Sequence, residues 1–210
     1  MKIQNNKISY TPQFGMLHVA NCGKIKLYRV TNNQDVRYLR NLPEHVNIEE
    51  LMPDLSKSAC ARWHEMLEYA VDMMQNPDNI TYLDVFNNKI CGIITNFPNK
   101  TTIIDCICTW PIIAGQKVKL AGKSLFYKVF RDFDQNQGTR IKLDAITDGP
   151  YDTVQKYESL GFRTTSRVYP TKIEMEANRH KIKQILPQLK TLVKYEEIVP
   201  KSVNINELSL

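Results

Sequence analysis

Residues 103–109 read IIDCICT, a short and largely apolar run with several β-branched residues, which predicts a buried strand. Residues 122–133 read GKSLFYKVFRDF, and their apolar side chains recur at the period of an amphipathic helix. A second strand is predicted over 141–146, and a second helix over 151–160, after which Gly161 stops the helix. A strand, a helix and a strand in this order predict two parallel strands joined by a crossover helix.

The loop before the first of these helices favours an anionic ligand. Such a loop presents free backbone N–H groups and the positive end of the helix dipole, and together these bind phosphate. Lys117, Lys119 and Lys123 lie in this turn and add positive charge for a polyphosphate. A solvated basic loop without a ligand is the alternative interpretation, because basic loops are common.

Two motifs in this stretch resemble those of the GNAT superfamily of N-acetyltransferases. A helix in that family ends in Tyr-x-x-x-Gly-Phe, and Tyr157, Gly161 and Phe162 have this spacing. The family also has an Arg/Gln-x-x-Gly-x-Gly/Ala loop that binds the pyrophosphate of acetyl-CoA. Here that motif is degenerate, and the loop after Pro111 is longer than is usual in the family.

The degenerate loop can be aligned with the family motif in two ways. With Gly122 on the last glycine, Lys117 stands where Arg or Gln is expected and Leu120 where the first glycine is expected. The alternative, Gln116 to Ala121, places Lys119 on the first glycine instead. We prefer Gly122, because it places the apolar face of the following helix on the buried positions of the family.

The resemblance implies an α/β (α+β) fold with a mixed, mostly antiparallel central sheet, a parallel pair at its centre and helices on both faces. It covers roughly residues 24–177, the predicted acetyltransferase domain. Residues 1–23 are predicted to be an N-terminal extension with one edge strand near 16–20. Residues 178–210 are predicted to be a basic, amphipathic helical extension, in which Pro187 breaks the helix or begins a second one.

The pattern of the first half agrees with this order of elements. Residues 24–31 alternate as a strand does, and a short helix follows until Pro43 ends it. After a predicted loop over 44–57, an apolar stripe along 58–75 predicts a long helix. The dipeptide Asn87-Asn88 then predicts a tight hairpin turn, since asparagine tolerates a positive φ.

The resemblance also implies the site. Backbone groups of Ile107 and Thr109 would hold the pantetheine arm and the acetyl carbonyl of acetyl-CoA, the co-substrate. Tyr157 would protonate the departing sulfur; without the motif it would be read as a tyrosine packed on the sheet. The pyrophosphate would be bound by the loop residues Lys117, Val118, Lys119, Leu120, Ala121, Gly122 and Lys123.

The general base has no motif of its own. Asp105 is the first candidate because it shares a strand with the cofactor-binding residues, and Asp144 on the next strand is the second. An isolated strand aspartate is as often a structural hydrogen-bonding group, and a chain of water molecules would leave no trace in the sequence. The acceptor is a small-molecule or peptide amine.

Two departures from the family leave another function open. Pro150 stands where the family often has an asparagine that binds the cofactor arm, and Leu120 replaces a glycine. A degenerate GNAT fold that acts as a non-catalytic binding or interaction module is therefore the alternative. A third hypothesis is a nucleic-acid-binding protein, based on a net charge of +6, a pI near 9.0 and the basic segment 179–194.

Other partners receive little support. The basic residues of 179–194 are not interleaved with exposed aromatic residues, so nucleic acid is not expected. This segment is expected to pack on its own domain or on a second subunit, which leaves a homodimer open. The five cysteines match no metal spacing and favour buried thiols in a reducing compartment. No signal peptide or membrane span is read, so a cytoplasmic protein is predicted.

Overall fold

A nine-stranded sheet forms the centre of the computed structural model, which describes residues 15–149 and 151–208. The strands are β1 (Met16–Cys22), β2 (Ile25–Arg29), β3 (Ile80–Phe86), β4 (Lys89–Phe97), β5 (Thr101–Thr109), β6 (Arg140–Ile146), β7 (Arg163–Val168), β8 (Lys172–Asn178) and β9 (Tyr195–Val203). The helices are α1 (Asn33–Leu39), α2 (Leu42–His45), α3 (Ile48–Leu51), α4 (Lys57–Met74), α5 (Lys123–Gln135), α6 (Thr153–Ser159) and α7 (Arg179–Val193).

The sheet is mixed, as predicted. Its order is β7-β8-β6-β5-β4-β3-β2-β1-β9, and every described pair of neighbours is antiparallel except β5 and β6. Helix α5 connects these two parallel strands, which confirms the predicted crossover unit.

Helices cover both faces of the sheet, because the strands bury apolar side chains on each side. On one face, α5 contributes Phe130 and α7 contributes Ile182 to a core that also receives Ile141 of β6. On the other face, Trp63 and Leu67 of α4 pack on the sheet beside α1, α2 and α3. The prediction of helices on both faces is therefore confirmed.

The hairpin and the long helices follow the sequence pattern closely. Asn87 and Asn88 join β3 to β4 with φ values of 52° and 60°, as the turn prediction requires. Helices α4 and α5 begin and end within two residues of their predicted bounds. Gly161 stops α6 with a φ of 88°, a left-handed conformation that glycine adopts without steric cost.

Two predictions in the first half were wrong. Pro43 does not end a helix that runs to Leu42: α1 stops at Leu39, and Pro43 lies in the first turn of α2, where its missing N–H costs nothing. The predicted loop 44–57 contains the end of α2 and all of α3. Helices of a single turn carry too few apolar repeats to stand out in the sequence.

Two predictions about the ends of the chain were also wrong. β1 is not an edge strand, since it pairs with β2 on one side and with β9 on the other. Pro187 neither breaks α7 nor begins a new helix, because it lies inside one continuous helix. Strands from both flanking regions thus join the central sheet, while the division of the chain at residues 24 and 177 stays a prediction.

None of the helices in the described part of the chain is both long and apolar enough to cross a membrane.

Candidate active site

A cleft opens where the two parallel strands diverge. β6 pairs with β5 only at Thr101–Ile103, and the later residues of β5 have no partner on β6. The register of β5 against β4 shifts at the same place: Ile104 pairs with Asn96 and Cys106 with Thr95, which leaves Asp105 as the extra residue of a β-bulge. A bulge bends its strand and increases the local twist, so it helps to separate β5 from β6.

The cleft has a volume of about 300 Å³ and contains three of the predicted catalytic candidates. Tyr157, Asp105 and Asp144 all line it. The opposite wall belongs to α4, from which Arg62, Glu65, Met66 and Tyr69 reach the cleft. The sequence analysis named none of the four as site residues. Their only signal was a position at the border of the apolar stripe of α4.

Tyr157 is held by aromatic packing. Its ring lies edge-on to Phe126 of α5 at 5.7 Å and to Phe162 at 6.1 Å between ring centroids. Burial raises the pKa of the Tyr157 hydroxyl above its ordinary value, so the group stays protonated at neutral pH. A fixed, protonated phenol on the wall of a cleft is suited to donate a proton.

Asp105 and Asp144 differ in their electrostatic surroundings. Asp144 forms an ion pair of 2.5 Å with Lys172, so its charge is already compensated. Asp105 is half-buried, and its Oδ2 atom has no hydrogen-bond partner in the described structure. Burial raises the pKa of Asp105, while a hydrogen bond from Asn79 opposes the shift. Asp105 is therefore the stronger proton acceptor of the two.

The outer edge of β5 offers backbone groups to the cleft. The amide of Trp110 donates to the carbonyl oxygen of Cys91 on β4 at 3.0 Å. Hydrogen bonds along an antiparallel pair alternate, so Ile107 and Thr109 direct their backbone groups away from β4. β6 does not reach these residues, and their N–H and C=O groups face the region where the strands diverge.

The loop before α5 has the backbone conformation of a glycine-rich turn. Leu120 adopts a φ of 72° and Gly122 a φ of 82°. A positive φ is rare for a bulky side chain, and Leu120 is the residue that the preferred alignment places on the first glycine of the family motif. The loop therefore has a positive φ at the position where that alignment expects glycine.

Some of the predicted amide donors already have partners. The amide of Ala121 donates to Val118 at 3.3 Å, and that of Gly122 donates to the carboxylate of Asp84 at 3.3 Å. No acceptor within residues 15–149 and 151–208 takes up the amides of Lys119, Leu120 and Lys123. These three N–H groups lie at the N-terminus of α5, where an anion would bind.

Asp84 was missed by the sequence analysis. It lies on β3, is fully buried, and accepts a second hydrogen bond from the hydroxyl of Ser124 at 2.5 Å. Burial raises its pKa to about 7, although the hydrogen bonds from Ser124 and Gly122 oppose the shift. Its signal in the sequence was a single acid within the otherwise uncharged strand ITYLDVF, about 40 residues before the loop that it contacts.

Two lysine side chains converge on the ring of Tyr151. The ammonium group of Lys117 lies 4.5 Å from the ring centroid of Tyr151, and that of Lys156 lies 4.1 Å from it. Burial and the nearby charge of Lys117 lower the pKa of Lys156. Two cations around one ring form a local excess of positive charge. Lys156 was not among the predicted residues.

Comparisons with known proteins identify the fold. No protein-family model matches the sequence, and no curated protein matches it. The structure is similar to PaiA N-acetyltransferase of Thermoplasma acidophilum, solved with coenzyme A, with a TM-score of 0.51 and 15% identity over 73% of this chain and 98% of that one. It is also similar to FdhC, a nucleotide-linked sugar GNAT, with a TM-score of 0.50 and 16% identity over 83% and 96% of the two chains.

A third similar structure belongs to Desulfovibrio desulfuricans and is assigned to the GNAT family. Its TM-score is 0.50 at 13% identity, and the match covers 74% of this chain and 99% of that one. The chain has the GNAT fold. The fold class implied by the sequence motifs is thereby confirmed.

Within this GNAT fold, the predicted residues fall into two groups. Tyr157, Asp105 and Asp144 line the cleft, whereas the loop residues 117–123 surround the N-terminus of α5. Their roles stay predictions. Pro150 lies outside the described residues. Among the described residues no cluster of three or more His, Cys, Asp or Glu side chains is arranged to hold a metal ion.

Proposed function

We propose that the chain transfers an acetyl group from acetyl-CoA to a primary amine. The observation that carries the proposal is the cleft between β5 and β6. A half-buried, protonated Tyr157 and an Asp105 without a cationic partner line the same cleft, beside an unpaired strand edge. This arrangement supports an acyl transfer, which needs one acid, one base and a site for an extended thioester.

The residues present fit coenzyme A. The free edge of β5 at Ile107 and Thr109 matches the hydrogen-bonding groups of a pantetheine arm, which is itself amide-like. The free amides of Lys119, Leu120 and Lys123 would hold the pyrophosphate, and the helix dipole of α5 adds to this attraction. A Cβ atom at Gly122 would lie 3.4 Å from Thr109, so a larger side chain would fill this region.

Each chemical step has a residue to perform it. Asp105 would accept a proton from the ammonium form of the acceptor, which becomes a nucleophilic amine. The amine then attacks the thioester carbonyl, and the backbone amides at the edge of β5 would stabilise the charge on its oxygen. As the carbon–sulfur bond breaks, Tyr157 would donate its proton to the thiolate and regain one from the acylated nitrogen, while Asp105 would release its proton to solvent. The net reaction yields an acetylated amine, free coenzyme A and one proton.

The cleft favours a cationic acceptor of small size or the exposed amine of a peptide. Glu65 and Asp105 face it, and both carboxylates accept hydrogen bonds from an ammonium group. Arg62 is engaged by Glu65 at 2.9 Å, which limits the positive charge of this wall.

We also place the reaction in the cytoplasm, because all five cysteines are free and buried, as a reducing compartment favours.

Titration of acetyl-CoA into the protein, followed by a screen of amines for thiol release, tests the proposal. We expect binding in the micromolar range, which Gly122→Trp abolishes, and turnover with at least one amine. Tyr157→Phe is expected to lower kcat roughly 100-fold, the usual worth of a positioned general acid, with little change in acetyl-CoA affinity. Tyr69→Phe is the matched control, because it removes a hydroxyl from the opposite wall of the same cleft.

The outcomes of these measurements distinguish an enzyme from a binding module. Equal activity of the Tyr157→Phe and Tyr69→Phe variants would contradict the role of Tyr157 but not the activity. Absence of acetyl-CoA binding at millimolar concentration would contradict the whole proposal. The chain would then be a GNAT fold used as a binding module.

A further inference from the structure

Asp84 lies on the inner side of the helix end that faces the cofactor loop. Its Oδ2 atom accepts hydrogen bonds from the amide of Gly122 at 3.3 Å and from the hydroxyl of Ser124 at 2.5 Å. Its Oδ1 atom is buried and has no partner in the described structure. The carboxylate is therefore in contact with the N-terminus of α5 on its buried side, while Lys119 and Lys123, whose amides have no acceptor in the described structure, are exposed.

The sheet leaves room for this contact. Gly92 lies opposite Asp84 on β4, and a Cβ atom there would lie 3.4 Å from Asp84 and 3.2 Å from both Leu125 and Thr109. A side chain at this position would crowd α5 against the sheet. The glycine thus allows the first turn of α5 to approach the buried carboxylate.

The surroundings of Asp84 supply no charge to compensate it. Cys22 of β1 and Cys91 of β4 are the titratable side chains beside it, and burial raises the pKa of Cys22 to about 12, so that its thiol is neutral. β2 presents Leu27 in register, and α5 presents Ser124. No Lys, Arg or His of residues 15–149 or 151–208 forms a salt bridge with Asp84.

A buried carboxylate and a phosphate cannot share one helix end without mutual repulsion. Asp84 accepts from the amide of Gly122, the phosphate would accept from neighbouring amides of the same turn, and both are attracted by the same helix dipole. The repulsion is weakly screened, because Asp84 is out of contact with solvent. A proton on the carboxylate removes the repulsion, and near neutral pH the cost of that proton is small, because burial has raised the pKa of Asp84 to about 7.

We propose that Asp84 takes up one proton from solvent when a phosphate of coenzyme A binds at the N-terminus of α5, and that it thereby links cofactor affinity to pH. This inference rests on the proposed function and specifies how its cofactor site is regulated. Asp84 is a positioning residue, since it contacts the loop and not the reacting atoms. No bond other than that of the transferred proton is formed or broken.

The direction in which pH changes the affinity for coenzyme A follows from the coupling of binding to proton uptake by Asp84. Below the pKa of Asp84 the free protein is already protonated, so its affinity for coenzyme A does not depend on this group. Above that pKa, binding requires proton uptake, and the affinity falls by up to tenfold per pH unit. Between pH 6 and pH 9 we therefore expect the Kd for coenzyme A to rise at least tenfold.

Calorimetric titration of coenzyme A at pH 8, in two buffers of different ionisation enthalpy, measures the proton uptake directly. The wild-type protein is expected to take up close to one proton more than the Asp84→Asn variant, in which the amide oxygen still accepts from Gly122 and Ser124. The variant is also expected to lose most of the pH dependence of its Kd. Asp78→Asn, an exposed acid in a turn, is the matched control and should behave like the wild type.

The comparison between variants isolates Asp84 from other titrating groups. The phosphates of coenzyme A, Lys117 and Lys156 are the same in all three proteins, so their protons cancel in the difference. Equal proton uptake by the wild type and Asp84→Asn, with coenzyme A bound by both, would overturn this inference and leave the proposed function intact. Absence of any coenzyme A binding would overturn both.

A measurement on the unmodified protein applies if Asp84→Asn does not fold. Infrared difference spectra at pH 8 detect the C=O stretch of a protonated carboxyl group, which an ionised carboxylate lacks. Addition of coenzyme A is expected to produce this band in proportion to the bound fraction. A spectrum without it would refute proton uptake by Asp84.

Discussion

Replacement of Leu120 by glycine and by alanine tests whether this leucine is strained. Its φ of 72° costs a residue with a Cβ atom about 1–2 kcal/mol, and Leu120→Gly relieves that cost. The half-buried side chain contributes about 1 kcal/mol of burial, which both variants lose. Glycine also costs about 0.5–1 kcal/mol of chain entropy relative to alanine. The free energy of unfolding should therefore stay within about 1 kcal/mol of wild type for Leu120→Gly and fall by about 1 kcal/mol for Leu120→Ala.

The decisive result is which of Leu120→Gly and Leu120→Ala has the larger free energy of unfolding. At Leu192, a half-exposed leucine inside α7, the alanine variant should be more stable than the glycine variant by about 1 kcal/mol, as in any helix. At Leu120 that order should be equal or reversed. Urea unfolding of the four variants measures both differences under one set of conditions. An alanine variant at 120 that is clearly more stable than the glycine variant would refute the assignment of strain to this residue.

Three further predictions concern packing, pH and charge. Gly161→Ala should destabilise the protein by about 2–4 kcal/mol in thermal unfolding, because its Cβ would lie 2.2 Å from Ile185 at a φ of 88°, whereas Gly23→Ala, with nothing within 4 Å, should cost only about 1 kcal/mol. Asp105→Asn should lower kcat/KM and remove the acid limb of its pH profile; in the wild type this limb falls as the pH decreases through a pKa that burial holds above the ordinary aspartate value. Lys156→Gln should raise the Kd for coenzyme A about fivefold, the worth of roughly 1 kcal/mol, while Lys89→Gln in the exposed hairpin turn should not change it.

Long periodic elements of this fold could be predicted because their signal is local. The apolar spacing of α5, the alternation of β2 and the turn at Asn87-Asn88 each lie within one short window of sequence. The one-turn helices α2 and α3 could not, since four residues hold no period. The inner position of β1 could not either, because it depends on β9, which pairs with it from about 180 residues away.

The residues of the candidate site show the same difference between local and long-range signals. Tyr157 was found because Gly161 and Phe162 follow it at a fixed spacing, a pattern within one helix end. Asp84 and Glu65 were missed because their places in the site depend on residues distant in sequence: Asp84 contacts Gly122, and Glu65 lines the cleft opposite Asp105. Nothing in the strand around Asp84 indicates that a helix N-terminus will lie on it. Such contacts become visible only when the sheet order is known.

The loop before α5 forms a turn with positive φ values although only one of the two residues concerned is glycine. The loop requires positive φ angles, and glycine is the residue that adopts them at the lowest cost in free energy. Leu120 provides the same φ at a cost of about 1–2 kcal/mol, which its packed side chain partly offsets. The amide of Ser124 donates to the Leu120 carbonyl at 3.1 Å and helps to hold it in this conformation. A motif defined by residue types therefore does not match this loop, since a residue other than glycine adopts one of its positive φ angles.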